Sequence, residues 1–168
     1  KYLNPEELGV WNTVLLFQTY SLFLQGGVIN GLNRELPFFL GKNDLNKANS
    51  LASTALSVSI VSIVLCFIVA IIIFWSSLGE SGAFLLAFCG VILITSAKFY
   101  ENYLTSTFRS SNSFEMLSHL QIYRGIYLLV STVLVVYFGY LGYIIRMVSI
   151  SFLFTFGLHI IRPLKIFP

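Results

Sequence analysis

From Ala55 to Trp75 the chain runs twenty-one positions without one charged side chain. As an α-helix, a run of that length rises about 30 Å, which is the thickness of a bilayer's hydrocarbon core. No other feature restricts the possible folds as strongly. In water such a helix would need covering on every side, and the rest of the chain has little to cover it with. Only 10% of the 168 residues are charged and 57% are hydrophobic, whereas a soluble domain carries roughly 25% charged residues. Most of the exterior must therefore face lipid.

Four further apolar segments approach the same length. Together the five run from about Leu8 to Leu32, Ala55 to Trp75, Ala83 to Tyr103, Leu117 to Phe138 and Leu141 to Ile161. They are continuous runs without the two-residue alternation of barrel strands. The predicted fold is all-α: a polytopic membrane bundle of five transmembrane helices. Pro37 and Gly41 punctuate the first connection, Ser76 to Gly82 forms the second, and Ser110 to Ser113 the third. A very short hairpin, Gly139-Tyr140-Leu141-Gly142, separates the last two helices. Asp44 and Ser113 are placed to cap the second and fourth helices. Cys66 and Cys89 lie in apolar runs without metal-ligand spacing and read as buried, inert residues.

Lys and Arg collect at alternate connections. Arg34, Lys42 and Lys47 follow the first helix, Arg109 follows the third, and Arg162 and Lys165 follow the fifth. The opposite side holds Lys1 and Arg146 beside Glu6, Glu7 and Glu80. The positive-inside rule then puts the C-terminus in the cytoplasm and the N-terminus of this chain outside. The polar opening at Lys1 has no signal-peptide pattern. With an odd number of spans, it leads us to expect a preceding helix and a chain that is part of a longer protein.

Glu7-Leu8-Gly9-Val10-Trp11-Asn12, then Gly26-Gly27-Val28-Ile29-Asn30-Gly31-Leu32-Asn33-Arg34-Glu35-Leu36-Pro37, then Gly41-Lys42-Asn43-Asp44 with Lys47-Ala48 form a recognisable series. It resembles the polysaccharide transporter branch (Wzx-like, lipid-linked oligosaccharide flippase) of the MATE/MVF/polysaccharide superfamily. Leu8 departs from that pattern, which has an aromatic before the glycine. Beyond Ala48 the likeness rests on helix spacing and on Phe99-Tyr100-Glu101-Asn102-Tyr103 with Phe108-Arg109. The resemblance implies helices two to six of a MATE-like transporter, a partial N-terminal lobe whose first helix and second lobe belong to the same protein. It also implies a prokaryotic cytoplasmic membrane, a polyprenyl-diphosphate-linked oligosaccharide as substrate, and glycan polymerase machinery as a partner.

Charges inside a bilayer are costly, so each needs a reason. Lys98 and Glu101, three apart, share a helix face. They form either a mutual pair or part of a cavity wall, in which Lys98 meets an anion or Glu101 joins an ion-coupling relay. Arg124 and Arg146 either snorkel to the interface or line the cavity, where a guanidinium can grip a phosphate. Arg34 and Glu35 fit a helix end, with Arg34 capping terminal carbonyls; the family reading adds a gate at the inner mouth. Gly26, Gly27 and Gly31 allow close helix approach or local unwinding. Asn30 and Asn33 suit sugar contacts or hydrogen bonds between helices, and His159 an interfacial position.

No HExxH, GxSxG or Walker loop is present, so no enzyme, metal site, cofactor or nucleic-acid partner is expected. Transport leaves room for H⁺ or Na⁺ as a coupling ion. Two other readings remain: a MATE-type drug or cation exporter, and a non-transporting scaffold of a glycan-assembly complex.

Overall fold

The computed structural model describes residues 4–77 and 79–162. Lys1 and Lys165, used in the topology argument above, lie outside them, as does Leu78 of the Ser76 to Gly82 connection. Every element among the described residues is helical. In order they are α1 (Pro5–Ser21), a 3-10 turn (Leu22–Gln25), α2 (Val28–Gly41), α3 (Leu45–Ser76), α4 (Gly82–Ser110), α5 (Phe114–Val130) and α6 (Thr132–Ile161). Three of them, α3, α4 and α6, are long and apolar enough to cross a membrane. The outer face of α3 presents Ile60, Val61, Val64, Leu65 and Ile68, the arrangement lipid contact requires.

The first predicted helix is not one helix. It breaks after Ser21 into the 3-10 turn, and Gly26 takes φ +51°, a left-handed conformation that glycine adopts without a Cβ clash. The chain resumes as α2, which runs through Pro37 to Gly41 where a connection was expected. Pro37 merely forgoes one intrahelical bond there. α3 begins at Leu45, ten residues before the expected start, because Asp44 caps it: its Oδ1 accepts from Lys47 N–H at 3.2 Å. Over 32 residues α3 is about 48 Å long, so its polar first turns extend past a hydrocarbon core of about 30 Å. α4 likewise continues to Ser110 rather than Tyr103.

The α2–α3 and α4–α5 connections share one device. Asn43 (φ +57°) and Asn112 (φ +56°) end their helices left-handed. Asn43 N–H bonds Leu40 O and Asp44 N–H bonds Phe39 O, as Asn112 bonds Arg109 O and Ser113 bonds Phe108 O. These are Schellman closures with asparagine in the glycine position. Ser113 then heads α5, but its hydroxyl turns to Ser111 instead of capping.

The predicted hairpin is where the chain reverses. Gly139 has φ +57°, ψ −129° and divides α6 into a short arm and a long one. Leu120 faces Gly157, Arg124 faces Phe154, Tyr127 faces Ser149, Leu128 faces Arg146, and Leu134 faces Gly142. The same antiparallel register runs from α5 into the first arm of α6, across the break at Ser131.

Two apolar cores hold the bundle. One joins Leu36, Ala52, Leu104, Phe108 and Leu158 near the α2–α3 and α4–α5 connections. The other joins Trp11, Ala70, Phe88, Val91 and Ile144 near the opposite end. Between the two cores lies a band of polar side chains. Cys66 is buried as expected, whereas Cys89 is exposed, in a groove between α3 and α4 that Phe67, Ile71 and Trp75 also line.

Candidate functional site

The polar band centres on Glu101, which is 5% exposed. One helical turn before it on α4, Lys98 reaches back and its Nζ donates to Glu101 Oε1 at 2.6 Å. From α5, Arg124 Nη1 donates to the same oxygen at 3.4 Å, while its guanidinium lies 4.8 Å from the Phe154 ring centroid on α6. The pair anticipated from spacing is therefore a triad across two helices, with the third stacked beneath. Both cations converge on Oε1, and Glu101 Oε2 is buried with no hydrogen-bond partner. Two cations share one carboxylate, leaving a formal charge of +1 around the buried Glu101.

A cavity of about 150 Å³ adjoins this triad, between α1, α4, α5 and α6. Lys98 and Arg124 line it together with Trp11, Gln18, Met147 and Ser151. Trp11 Nε1 is another buried polar atom without a partner. Arg124 also lines a second hollow of about 190 Å³ with Tyr127 and the outward-facing Tyr123 and Leu153. The arginine thus stands between the cavity and an outward-facing hollow of α5 and α6.

Beside the triad, the broken segment is fastened by Gln25, which is 3% exposed. Its Nε2 donates to Ser59 Oγ at 3.0 Å and to Phe99 O at 2.7 Å, and its Oε1 accepts from Asn102 Nδ2 at 3.0 Å. One amide thereby ties the irregular backbone to α3 and α4, which such backbone needs if it lies at membrane depth. Sequence alone gives Gln25 no role beyond that of Asn12, Gln18 and Asn30, the other amides of the first segment; the available signal is its place directly before Gly26-Gly27. Gln25→Leu is expected to cost about 1–2 kcal/mol, near the upper end for polar contacts inside membranes. Asn30→Ala, at an exposed position, is expected to cost nothing measurable. Thermal unfolding in detergent compares the two.

The other predicted site residues lie apart. Arg146 does not reach the triad: its Nη2 donates to Leu128 O at 2.9 Å, a carbonyl in the last turn of α5 that also accepts from Thr132 Oγ1. It acts as a cap supplied by a neighbouring helix. Arg34 is 87% exposed and pairs with Glu35 at 3.5 Å. It caps nothing, since α2 continues beyond it. A Cβ on Gly31 would meet nothing within 4 Å, so close approach is not its role; Gly26 supplies the unwinding. Asn30 makes no side-chain hydrogen bond among the described residues, and Asn33 Oδ1 is buried without one. His159 Nδ1 pairs with Tyr100 OH at 2.7 Å. Among the described residues no three His, Cys, Asp or Glu side chains gather as metal ligands.

No protein-family profile matches the chain, and neither a curated protein nor a solved structure does.

Proposed function

We propose that this chain is a lobe of a membrane transporter that carries a polyprenyl-diphosphate-linked oligosaccharide from the inner to the outer leaflet of a prokaryotic cytoplasmic membrane. One observation carries the reading: the Lys98–Glu101–Arg124 triad places net positive charge beside a cavity between the two apolar cores. Charge buried at that depth is expensive and marks a substrate or ion path. A cationic lining lowers the cost of taking a diphosphate through a low-dielectric layer. The series from Glu7 to Ala48 supplies the substrate class. A drug or cation exporter would need uncompensated acid in the cavity, and the buried Glu101 already faces two cations.

In this reading there are five spans. The broken α1–α2 unit crosses once, α3 and α4 once each, α5 with the first arm of α6 once, and the long arm of α6 once. The Lys/Arg-rich connections face the cytoplasm. A second lobe closes the cavity, and alternating access comes from rocking of the two lobes. Arg146, engaged with Leu128 O, supports the fold rather than the substrate.

The test is export in cells carrying the full-length protein. Arg124→Ala is expected to lower surface glycan at least about tenfold, in line with loss of a charge-assisted phosphate contact, and to accumulate lipid-linked precursor. Arg124→Lys retains part of the flux, because it keeps the charge but not the fork. Normal export by a normally folded Arg124→Ala protein would favour the scaffold reading instead.

A further inference from the structure

A separate groove of about 590 Å³ lies between α3, α4 and α6, on another side of the bundle from the triad's cavity. Ile60, Ile63, Phe152 and Phe156 form its walls. Tyr100, His159 and Arg162 gather at one end, where α6 reaches its C-terminus. From Phe152 to Arg162 the helix rises about 15 Å, half of a hydrocarbon core of about 30 Å. The groove is thus as deep as one leaflet, apolar along its length and basic at its mouth. The same end of the bundle carries Lys42, Lys47 and Arg109 on the helix ends and connections around the first core, and Arg34 midway along α2.

We propose that this groove holds an anionic phospholipid of the adjoining leaflet, with one acyl chain along the α3–α6 walls and its phosphate at His159 and Arg162. Charge complementarity and the match in depth select this occupant. A zwitterionic lipid would fill the walls equally well and gain little at the mouth. His159 binds Tyr100 through Nδ1, so Nε2 is the ring nitrogen left for a ligand. The inference requires that α3 and α6 cross the bilayer; it does not depend on what the triad transports.

The experiment uses the purified protein in phosphatidylcholine nanodiscs containing a trace of photoreactive phospholipid, a diazirine on the acyl chain and either a phosphatidylglycerol or a phosphatidylcholine headgroup. Adducts are mapped by mass spectrometry. The glycerol-headed probe is expected to label Ile60 and Phe156 about fivefold more than the choline-headed one, the preference one basic residue gives near an anionic headgroup. Both probes should label the outward-facing Leu129 equally. In the His159→Gln/Arg162→Gln protein the excess in the groove is expected to vanish. Equal labelling of the wild-type groove by the two probes overturns the proposal, as does no labelling there, which would point to a protein cover. An excess that survives the double substitution overturns the assignment of the mouth. Displacement of the glycerol-headed probe by equimolar polyprenyl phosphate would make the groove a substrate site instead. Normal groove labelling with failed export in cells would leave this inference standing and sink only the transport reading.

Discussion

Glu101→Gln is expected to destabilise the folded bundle by about 3 kcal/mol, more than removal of either cation that it binds. Breaking a buried ion pair by deleting one partner typically costs about 3–5 kcal/mol, because the remaining charge is stranded. Here two charges are stranded, Lys98 and Arg124, and they repel. Their side chains are 29% and 28% exposed, so both can swing partly outward, and the lower end of that range applies. Lys98→Met leaves Glu101 with Arg124, and Arg124→Met leaves it with Lys98. Each of these is expected to cost about 1–2 kcal/mol, the loss of one charge-assisted bond with the carboxylate still answered. Lys98, at 2.6 Å against 3.4 Å for Arg124, should be the dearer of the two. Denaturant titration in mixed micelles measures the series. If Glu101→Gln proved no worse than Lys98→Met, Arg124 would be a bystander and the triad a simple pair on one helix. The Lys98→Met/Glu101→Gln double substitution should regain part of the loss, since only Arg124 is then stranded.

What was legible in the sequence followed from local rules. The uncharged run of α3, the Asp44 cap and the turn around Gly139 each depend on residues within a few positions, where periodicity and turn chemistry operate. The pairing of Lys98 with Glu101 was visible for the same reason, being a spacing of three on one helix. Arg124 could not be assigned to Glu101, twenty-three residues away, until the α5–α6 hairpin set the register that brings it over Phe154. Gln25 was hidden more deeply. Its partners Ser59, Phe99 and Asn102 lie thirty-four to seventy-seven positions downstream, so the break between α1 and α2 looked like one polar-tinged helix. The early start of α3 was missed because hydropathy marks where lipid begins, whereas the Asp44 cap marks where helical hydrogen bonding begins. Sequence leaves Arg146 between the interface and the cavity wall, because the Leu128 carbonyl it caps, eighteen residues away, has no signature in sequence.

Gly142→Ala is expected to open the terminal hairpin. A Cβ at that position would overlap the carbonyl carbon and oxygen of Leu134 on the facing arm and come within 3.0 Å of Phe138 Cβ. The obstacle is backbone, so no rotamer change relieves it, and the two arms must separate. Overpacking commonly costs about 1–3 kcal/mol, and an obstruction by main chain belongs at or above the top of that range. Two neighbouring glycines supply controls. At Gly157 a Cβ would meet Leu120 Cδ2 at 3.2 Å, the tip of a flexible side chain, so alanine should be nearly neutral. At Gly125 nothing lies within 4 Å, and alanine should stabilise the helix by about 0.5–1 kcal/mol. The consequence extends beyond stability, because the hairpin register also seats Phe154 under Arg124 and Arg146 on Leu128. A separated hairpin would release Arg124 from Glu101 and leave the cavity without its α5 wall. Gly142→Ala should therefore lower the melting temperature and erase the stability difference between Glu101 and Glu101→Gln backgrounds. A Gly142→Ala protein as stable as the wild type would mean that the arms do not pack as closely as the Leu134–Gly142 contact requires, and the five-span reading would lose its last turn.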